Sequence, residues 1–416
     1  MTSKVIWIIN QYASTPETGF AGRHYYLSKE LAQKGYEVFL ISASYTHNLH
    51  VERKFSEEIH IDKMDGDVTH VWVDVPKYSS PHGLGRIRNW FLFAYKLAKL
   101  PRILKLKPDF IYYSSLSLIG YIGAFYLKKK FKVPLIFEVR DIWPKTLIEM
   151  SKVSKFHPFV IFLSIIERFA YKSADYYISN LPNAIDHMSQ YGVSKKRFSY
   201  IPNGISLEEM KYSESLNPKL EEFLSKHKSK FIIGYIGTIG FANALDVLVD
   251  VAEEFQSNES ILFIVIGSGG EKNKLLEAVN NRSIQNIFFY DAIPKKQVQN
   301  AIKYFNVCYL GWKDKSLYKY GIGANKLPEY LYSGKPILHS YSGKGDRVEL
   351  FSAGVTVPAE NIGAIVKGIT NLKAKSQKEL NIMGRNGYKA AIQNYDYSLL
   401  ADKLIEIFIS LELDNN

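Results

Sequence analysis

The chain has one cysteine in 416 residues, Cys308, inside the apolar run NVCYLGW. No disulfide framework is possible within it, which excludes the small disulfide-stapled secreted folds and fits a reducing compartment. Nowhere do 18 apolar residues run uninterrupted; the longest run, FVIFLSII at 159–166, would span less than half a bilayer as a helix. No short internal repeat or low-complexity stretch is visible, which excludes solenoids and disordered tails. Acidic side chains are scarce beside basic ones: 41 Asp and Glu against 53 Lys and Arg, a net charge of +12 and a pI near 9.2. That balance favours anionic partners. None of the common DNA- or RNA-binding signatures occurs, so nucleic acid is set aside in favour of anionic lipid and phosphate-bearing substrates.

What remains is a chain of 46% apolar and 23% charged residues, the make-up of a globular protein, and long enough for two cores. The N-terminal MTSKVIWIINQYA has five apolar residues before a polar loop and reads as a first strand, 5–9, not as a signal peptide. The helix-like RHYYLSKELAQKG (23–35) follows, then strand-like runs at 38–42, 110–114, 135–139, 176–180 and 198–204. After the charged stretch 208–228, read as a linker, the rhythm restarts at 231–237, 261–269, 287–292, 307–312 and 336–340. Such alternation predicts parallel sheets covered by helices: an α/β protein of two doubly wound, Rossmann-like domains, residues 1–205 and 206–395, with the boundary near 205–215. The tail SLLADKLIEIFISLELD has apolar residues at helical spacing, and 396–416 is read as a helix that can pack back on the first domain.

Three glycine-bearing turns follow predicted strands: TPETGFAGRHYYL with Gly19 and Gly22, GYIGTIGFANALDVL with Gly237 and Gly240, and VIGSGGEKNKL with Gly267 and Gly269. Doubly wound sheets bind ligands outside the carboxyl ends of their strands. Glycine there lets a phosphate or sugar approach the backbone, and the next helix offers unpaired N–H groups. Packing alone also places glycine after strands. Three such turns, spread over both halves, predict a ligand in a cleft between the domains. GYIGTIG has the spacing G-x-x-G-x-x-G, not the dinucleotide fingerprint, and DVAEEFQSNES beyond it reads as a helix end, which disfavours a nicotinamide oxidoreductase.

In YGIGANKLPEYLYSGKPIL (320–338) a helix starting near Asn325 sets Lys326 beside free N–H groups. A point charge plus a dipole suits a diphosphate. Glu329 lies about one turn on, where a carboxylate can accept two hydrogen bonds from a ribose diol. The plain alternative is a solvated Lys326–Glu329 surface pair.

These blocks carry a resemblance. GIGANKLPEYLYSGKPIL resembles the donor-site helix of the retaining family-4 glycosyltransferases, which have the GT-B fold. TGFAGRHYYLSKELAQKGYEVFLIS, FEVRDIWPKTL (137–147), YIPNGI (200–205) and GYIGTIGFANALDVLVD (234–250) occur in that family's order. RDIWP with NKLPEY is similar to a bacterial branch that builds surface polysaccharides such as O-antigen, capsule and lipopolysaccharide, including transferases of N-acetylated amino sugars. The resemblance implies a C-terminal domain for a nucleotide sugar, most often UDP-linked, and an N-terminal domain for the acceptor. By it Glu329 holds the ribose, and Lys326 with the backbone N–H groups of Gly237 and Thr238 holds the diphosphate. The base lies against the Ala292–Ile293–Pro294 turn and the Gly267–Gly269 loop, and Gly240, Asn325 and Leu327 complete the donor set.

The chain departs from that pattern in places. Gly321 stands where the family carries a Glu two turns before the ribose carboxylate, Thr238 and Asn243 where it has Arg and Lys, and Arg140 where a histidine commonly precedes Asp141. Phosphate neutralisation then rests on fewer cations. Lys326 is the expected stabiliser of the leaving diphosphate, whose charge grows in the transition state. Arg140 is expected to assist the leaving group or an acceptor phosphate, and Asp141 to orient it; an internal Arg140–Asp141 pair is the structural alternative. Gly19, Gly22, Arg23 and His24 are assigned to the acceptor side, although His24 suits helix-start packing equally. Glu138, two residues before Arg140 and so on the same side of a strand, is a further candidate for a catalytic carboxylate. GKGDRVEL (343–350) supplies one Asp without a partner, so transfer without metal or cofactor is expected.

The stretch 81–107 contains seven Lys or Arg and no Asp or Glu, interleaved with Trp90, Phe91, Phe93, Tyr95 and Leu97. KKKFK (128–132) and the basic-apolar 151–169 add to it. Together they predict a surface facing anionic lipid, against the alternative of ordinary helices with solvated lysines. The expected protein is a cytoplasmic enzyme, peripheral on the inner face of the cytoplasmic membrane, that moves a sugar from UDP to a polyprenyl-diphosphate-linked saccharide. The rival on the same fold is a UDP-sugar 2-epimerase or hydrolase.

Overall fold

A computed structural model describes residues 3–19, 22–51, 55–80 and 83–414. The chain divides into two units, one running to Pro202 and resuming at Tyr397, the other Asn203–Asp396. The first holds β1 (Val5–Ile9), β2 (Glu37–Ala43), β3 (Ile59–Lys63), β4 (Thr69–Val73), β5 (Phe110–Ser115), β6 (Leu135–Val139), β7 (Tyr176–Ser179) and β8 (Phe198–Tyr200). They form one sheet in the order β3-β4-β2-β1-β5-β6-β7-β8, parallel throughout except between β3 and β4. β1 and β5 are buried on both faces, which is why they read as unbroken apolar runs and not as alternating ones. β3 and β4 are not announced that way. β3, IHIDK, is a half-exposed edge strand, and Gly66 and Asp67, both with positive φ, turn the chain into β4.

Side-chain alternation along β1 assigns the covering helices. Ile6 and Ile8 share a core with α1 (Arg23–Gln33), while Trp7 between them meets Phe131 edge-on at 5.3 Å. Phe131 ends α3 (Gly120–Phe131), which lies with α2 (Leu84–Leu97) and α4 (Pro158–Ser173) on the opposite face.

The second unit has β9 (Phe231–Ile236), β10 (Ile261–Ile266), β11 (Ile287–Tyr290), β12 (Val307–Gly311), β13 (Ile337–Ser340) and β14 (Gly354–Val357) in the parallel order β11-β10-β9-β12-β13-β14. Its helices include α5 (Leu245–Glu254), α6 (Lys272–Asn281), α7 (Lys326–Tyr332) and α8 (Gln377–Asn394). The charged stretch read as a linker belongs to this unit: Leu216, Leu220 and Leu224, four apart, enter its core, the last two from a helix spanning Pro218–Lys226. The last helix, α9 (Tyr397–Leu413), returns to the first unit. Its Tyr397 stacks on Tyr26 of α1 at 4.8 Å and its Phe408 on Phe110 of β5 at 4.7 Å.

Among the parallel strands the order reverses between β1 and β5 in the first sheet and between β9 and β12 in the second. Such switch points are where open α/β sheets leave room for ligands. No helix among the described residues is long and apolar enough to cross a membrane.

Candidate functional site

At the second sheet's switch point β9 ends at Ile236 and the chain turns through Gly237, Thr238, Ile239 and Gly240. β12 pairs with β9 only at Ile233 and Gly234, so the Ile236 backbone outruns its neighbour. The Tyr330 hydroxyl fills the gap, accepting from the Ile236 N–H at 2.8 Å and donating to the Ile236 carbonyl at 3.1 Å. A buried tyrosine needs such a partner, and this one pins α7 to the end of β9.

Held there, α7 lays Lys326 across Gly237, whose φ of 144° and missing Cβ leave room for the lysine Cε. Lys326 Nζ donates to Asn243 Oδ1 at 2.8 Å and sits 4.9 Å from the centre of the Tyr235 ring. Asn243 Nδ2 donates in turn to the Thr238 carbonyl at 3.0 Å, which also accepts from Tyr235 Oη at 2.5 Å. Among the described residues no carboxylate lies within ion-pair distance of Lys326. Burial lowers its pKa from 10.5 to about 8, against the weaker upward pull of Glu329.

Lys313, just past β12, is the contrast. It is buried where Lys326 is half-buried, but its Nζ donates to Asp246 at 2.6 Å and lies 2.9 Å from Glu360. Its N–H donates to the Ala242 carbonyl, so it braces the 241–246 segment that carries Asn243. Lys313 is neutralised from two sides and Lys326 from none. A desolvated cation without a counter-charge is costly, and such groups gather at functional sites.

The glycine turns have a more structural part than expected. The Gly237 N–H donates to the Ile266 carbonyl at 2.9 Å and the Ile239 N–H to the Ser268 carbonyl at 2.8 Å. A Cβ on Gly267 would strike the Gly237 carbonyl, and one on Gly269 the Ile239 carbonyl. These glycines let two loops pack backbone to backbone. The expectation that the Gly237 amide binds diphosphate is therefore corrected: it continues the β9–β10 ladder. The Thr238 and Gly240 amides have no partner among the described residues.

Glu329, one turn along α7, is half-buried, and among the described residues nothing hydrogen-bonds or ion-pairs with its carboxylate. Burial raises its pKa, against Lys295 and Lys326. Asn325 is exposed at the helix start, and Ile293 is half-buried at the edge of the core. Leu327 points into that core, so of this expected donor contact only the backbone remains available.

At the first sheet's switch point the expected residues fall into two groups. Arg23, His24 and Glu138 form one buried cluster: Arg23 Nε lies 2.6 Å from Glu138 Oε1, and His24 Nε2 donates to Glu138 Oε2 at 2.8 Å. Burial lowers the His24 pKa, against the pull of Glu138. Burial alone would raise Glu138, but Arg23 and His24 hold it far below the usual carboxylate range. Arg23 also donates to the Pro202 carbonyl. Glu138 is thus not the accessible catalytic carboxylate expected beside Arg140; both its oxygens anchor the start of α1. Arg23 and His24, expected toward the acceptor, face inward to it.

Arg140 and Asp141, just past β6, are half-buried and form no ion pair with each other. The Arg140 N–H donates to Ser115 Oγ at 3.2 Å, while its Nε is buried without a hydrogen-bond partner. Desolvation raises the Asp141 pKa, opposed by Arg140. Gln11 Oε1, after β1, and Asn180 Oδ1, after β7, are also buried without partners. Gly19 bridges to Leu49, and Gly22 caps α1 with extended backbone. Among the described residues no three His, Cys, Asp or Glu side chains gather as a metal-ligand set. A depression of about 520 Å³ lined by Glu349, Gly354, Thr356, Glu379 and Asn386 shares no residue with the glycine loops.

Tyr330, Tyr235 and Lys313 escape a reading of the sequence. Tyr330 looks like one more core position of LPEYLY, and its hydroxyl was the available signal. Lys313 directly follows an apolar strand, where a lysine marks the carboxyl edge of the sheet.

Two family models match the chain, Glycosyltransferase Family 4 over residues 21–209 and Glycosyl transferases group 1 over residues 217–390. WcaI of Escherichia coli (strain K12), a glycosyl transferase named for colanic acid biosynthesis, is 26% identical over 192 residues, which is 43% of this chain and 44% of that protein. Among solved structures, sucrose-phosphate synthase from Thermosynechococcus elongatus superposes with a TM-score of 0.74 at 15% identity, over 99% of this chain and 100% of that one. HepE of Anabaena in complex with UDP-glucose gives 0.68 at 13%, over 98% and 99%. A glycosyltransferase from Rickettsia africae gives 0.69 at 13%, over 100% of both. At such identities the structures speak to the fold. With its two sheets built as in those structures and both halves matched by glycosyltransferase models, the chain belongs to the glycosyltransferases, on the GT-B fold.

Proposed function

We propose that this glycosyltransferase moves a sugar, an N-acetylated amino sugar by its family resemblance, from UDP to a polyprenyl-diphosphate-linked saccharide with retention at the anomeric carbon. The pathway is O-antigen, capsule or lipopolysaccharide assembly at the inner face of the cytoplasmic membrane. The observation that carries the donor site is Lys326, half-buried without a counter-charge over Gly237, with the unengaged carboxylate of Glu329 one turn away. The diphosphate supplies the charge that Lys326 lacks, and the Thr238 amide adds a hydrogen bond. Glu329 accepts from the ribose diol, and the base rests by Ile293.

As the bond to the anomeric carbon breaks, negative charge builds on the diphosphate. A fixed ammonium in a desolvated site favours that state over the ground state. Asn243 and Tyr330 position the ammonium, and neither needs to touch substrate. The first unit takes the acceptor. There the partnerless Nε of Arg140 is the group suited to an acceptor phosphate, with Asp141 beside it, while Arg23, His24 and Glu138 hold the helix start in place. No metal or cofactor enters this scheme. HepE, solved with UDP-glucose, and WcaI, named for colanic acid biosynthesis, support the choice of donor and pathway.

The test is calorimetry with UDP, followed by a panel of UDP-sugars with and without a short-chain polyprenyl-diphosphate saccharide. UDP binds the wild type and fails to bind Lys326→Ala, and product forms only when acceptor is present. Epimer or free sugar formed equally fast without acceptor would replace this reading with the epimerase or hydrolase. Unchanged UDP binding in both Lys326→Ala and Glu329→Ala would move the site elsewhere.

A further inference from the structure

One surface of the first unit is unlike the rest. Helices α2, α3 and α4 cover the sheet side by side, stitched by stacked Phe91 and Phe162 at 5.9 Å and edge-on Phe125 and Phe169 at 4.7 Å. α2 and α3 approach so closely at Gly123 that a Cβ there would meet the Ala94 carbonyl. Each helix buries one side, α2 through Trp90, Phe93 and Leu97, α3 through Tyr121, Ala124 and Leu127, α4 through Leu163, Ile166 and Ala170.

Their outer sides should then be polar, and they are not. Phe91 and Tyr95 on α2, Ile122 and Tyr126 on α3, and Ile161 and Ile165 on α4 are exposed pairs at i, i+4 spacing, with Tyr95 63% and Ile165 62% accessible. Three neighbouring helices thus present three parallel apolar stripes to solvent. Cations continue them: Arg88 lies on the Phe91 stripe, Lys129 and Lys130 follow Tyr126 by one turn, and Arg168 and Lys172 follow Ile165. Across the three helices the sole acid is Glu167, which is buried and accepts from His187 at 2.7 Å. Some cations are partly answered from elsewhere, Lys128 by Asp175 and Lys96 by Glu58 and Asp74. Among the described residues Arg88, Lys129, Lys130 and Lys172 of the outer row form no ion pair.

We infer that the face formed by α2, α3 and α4 docks flat on an anionic lipid bilayer, its aromatic and aliphatic stripes entering the headgroup boundary and its lysines and arginines meeting lipid phosphates. Charge decides the occupant. A protein partner or a second copy would leave so many cations against a surface that must itself be acidic, and this chain at net +12 is a poor mate for itself. A bilayer offers both an apolar layer and a dense sheet of negative charge. The inference deepens the proposal of a lipid-linked acceptor, on which it rests, by naming the surface that meets the lipid.

Vesicle co-sedimentation of the full chain tests it, with phosphatidylcholine alone and phosphatidylcholine containing phosphatidylglycerol. The wild type binds the anionic vesicles, and added salt weakens the binding. Phe91→Ser with Ile165→Ser weakens it by about tenfold or more, given what apolar burial contributes. Arg88→Ser with Lys129→Ser weakens it and flattens the salt dependence. Ile382→Ser with Tyr388→Ser, on exposed positions of the second unit, leaves it unchanged. All variants stay folded and bind UDP as the wild type does, so lost vesicle binding is separable from a lost donor site. The inference is overturned if the wild type ignores anionic vesicles, if the Phe91/Ile165 variant binds them equally well, or if that variant instead dissolves a dimer. Vesicle binding without UDP binding would sink the glycosyl-transfer reading and leave this one standing.

Discussion

Replacing Lys326 by methionine should make the protein more stable and useless for nucleotide binding. The side chains are similar in length, so Met keeps the packing over Gly237. What disappears is a charge that burial opposes. In the unfolded chain Lys326 holds its proton to about 10.5 and in the folded chain to about 8; the gap corresponds to about 3 kcal/mol against folding at pH 7. Met forfeits the hydrogen bond to Asn243, worth about 1 kcal/mol, and the contact with the Tyr235 ring, worth up to about 1 kcal/mol. The net gain is about 1–2 kcal/mol, with each kcal/mol raising the midpoint by about 2–4 °C in a unit of this size. The pH dependence is the sharper readout. Between about 8 and 10.5 the unfolded state binds more protons, so wild-type stability rises with pH in that window. The advantage of Met is therefore full below about pH 8, shrinks through the window and ends above it. Chemical denaturation of both proteins at pH 7 and pH 10 measures this, with UDP calorimetry in parallel. A variant less stable than wild type at pH 7, or an advantage indifferent to pH, would refute the claim that Lys326 is an uncompensated, partly desolvated cation.

UDP affinity should hold below about pH 8 and fall above it as Lys326 deprotonates, with proton uptake on binding near the midpoint; calorimetry in buffers of different ionisation enthalpy reports both. Tyr330→Phe leaves the Ile236 N–H and carbonyl without a partner, lowers stability by about 1–3 kcal/mol, and weakens UDP binding although Tyr330 is buried beneath the site. Glu329→Ala should cost about tenfold or more in UDP affinity, as loss of hydrogen bonds to a charged group does, while 2′-deoxy-UDP binds variant and wild type nearly alike. Glu138→Gln strips Arg23 of its counter-charge and should destabilise the first unit by about 3–5 kcal/mol, seen as a lower unfolding midpoint with UDP affinity unchanged.

Strands sandwiched between helices are apolar on both faces and so stand out in one dimension, as VIWII, LIFEV and ILFIVI do. Strands that escape this rule, such as the half-exposed β3 and the short edge strand β14, go unseen. The stretch 208–228 looked like a linker because its charges outnumber its leucines, yet Leu216, Leu220 and Leu224 fall on one side and join the core. The glycines of the second and third turns were visible, but not that Gly267 and Gly269 make room for backbone.

The residues by themselves determined the class of the fold, its two repeated halves and the presence of a lysine and a carboxylate one turn apart, since composition, periodicity and helix geometry are local. Only the tertiary structure decided which charges are balanced. Lys313 and Lys326 look alike in the chain, but folding brings Asp246 and Glu360 to one and an amide and a ring to the other. It likewise drew Glu138 to Arg23 and His24, more than a hundred positions away, and closed it to substrate. Charge compensation depends on distance and burial, and those exist only once the chain has packed.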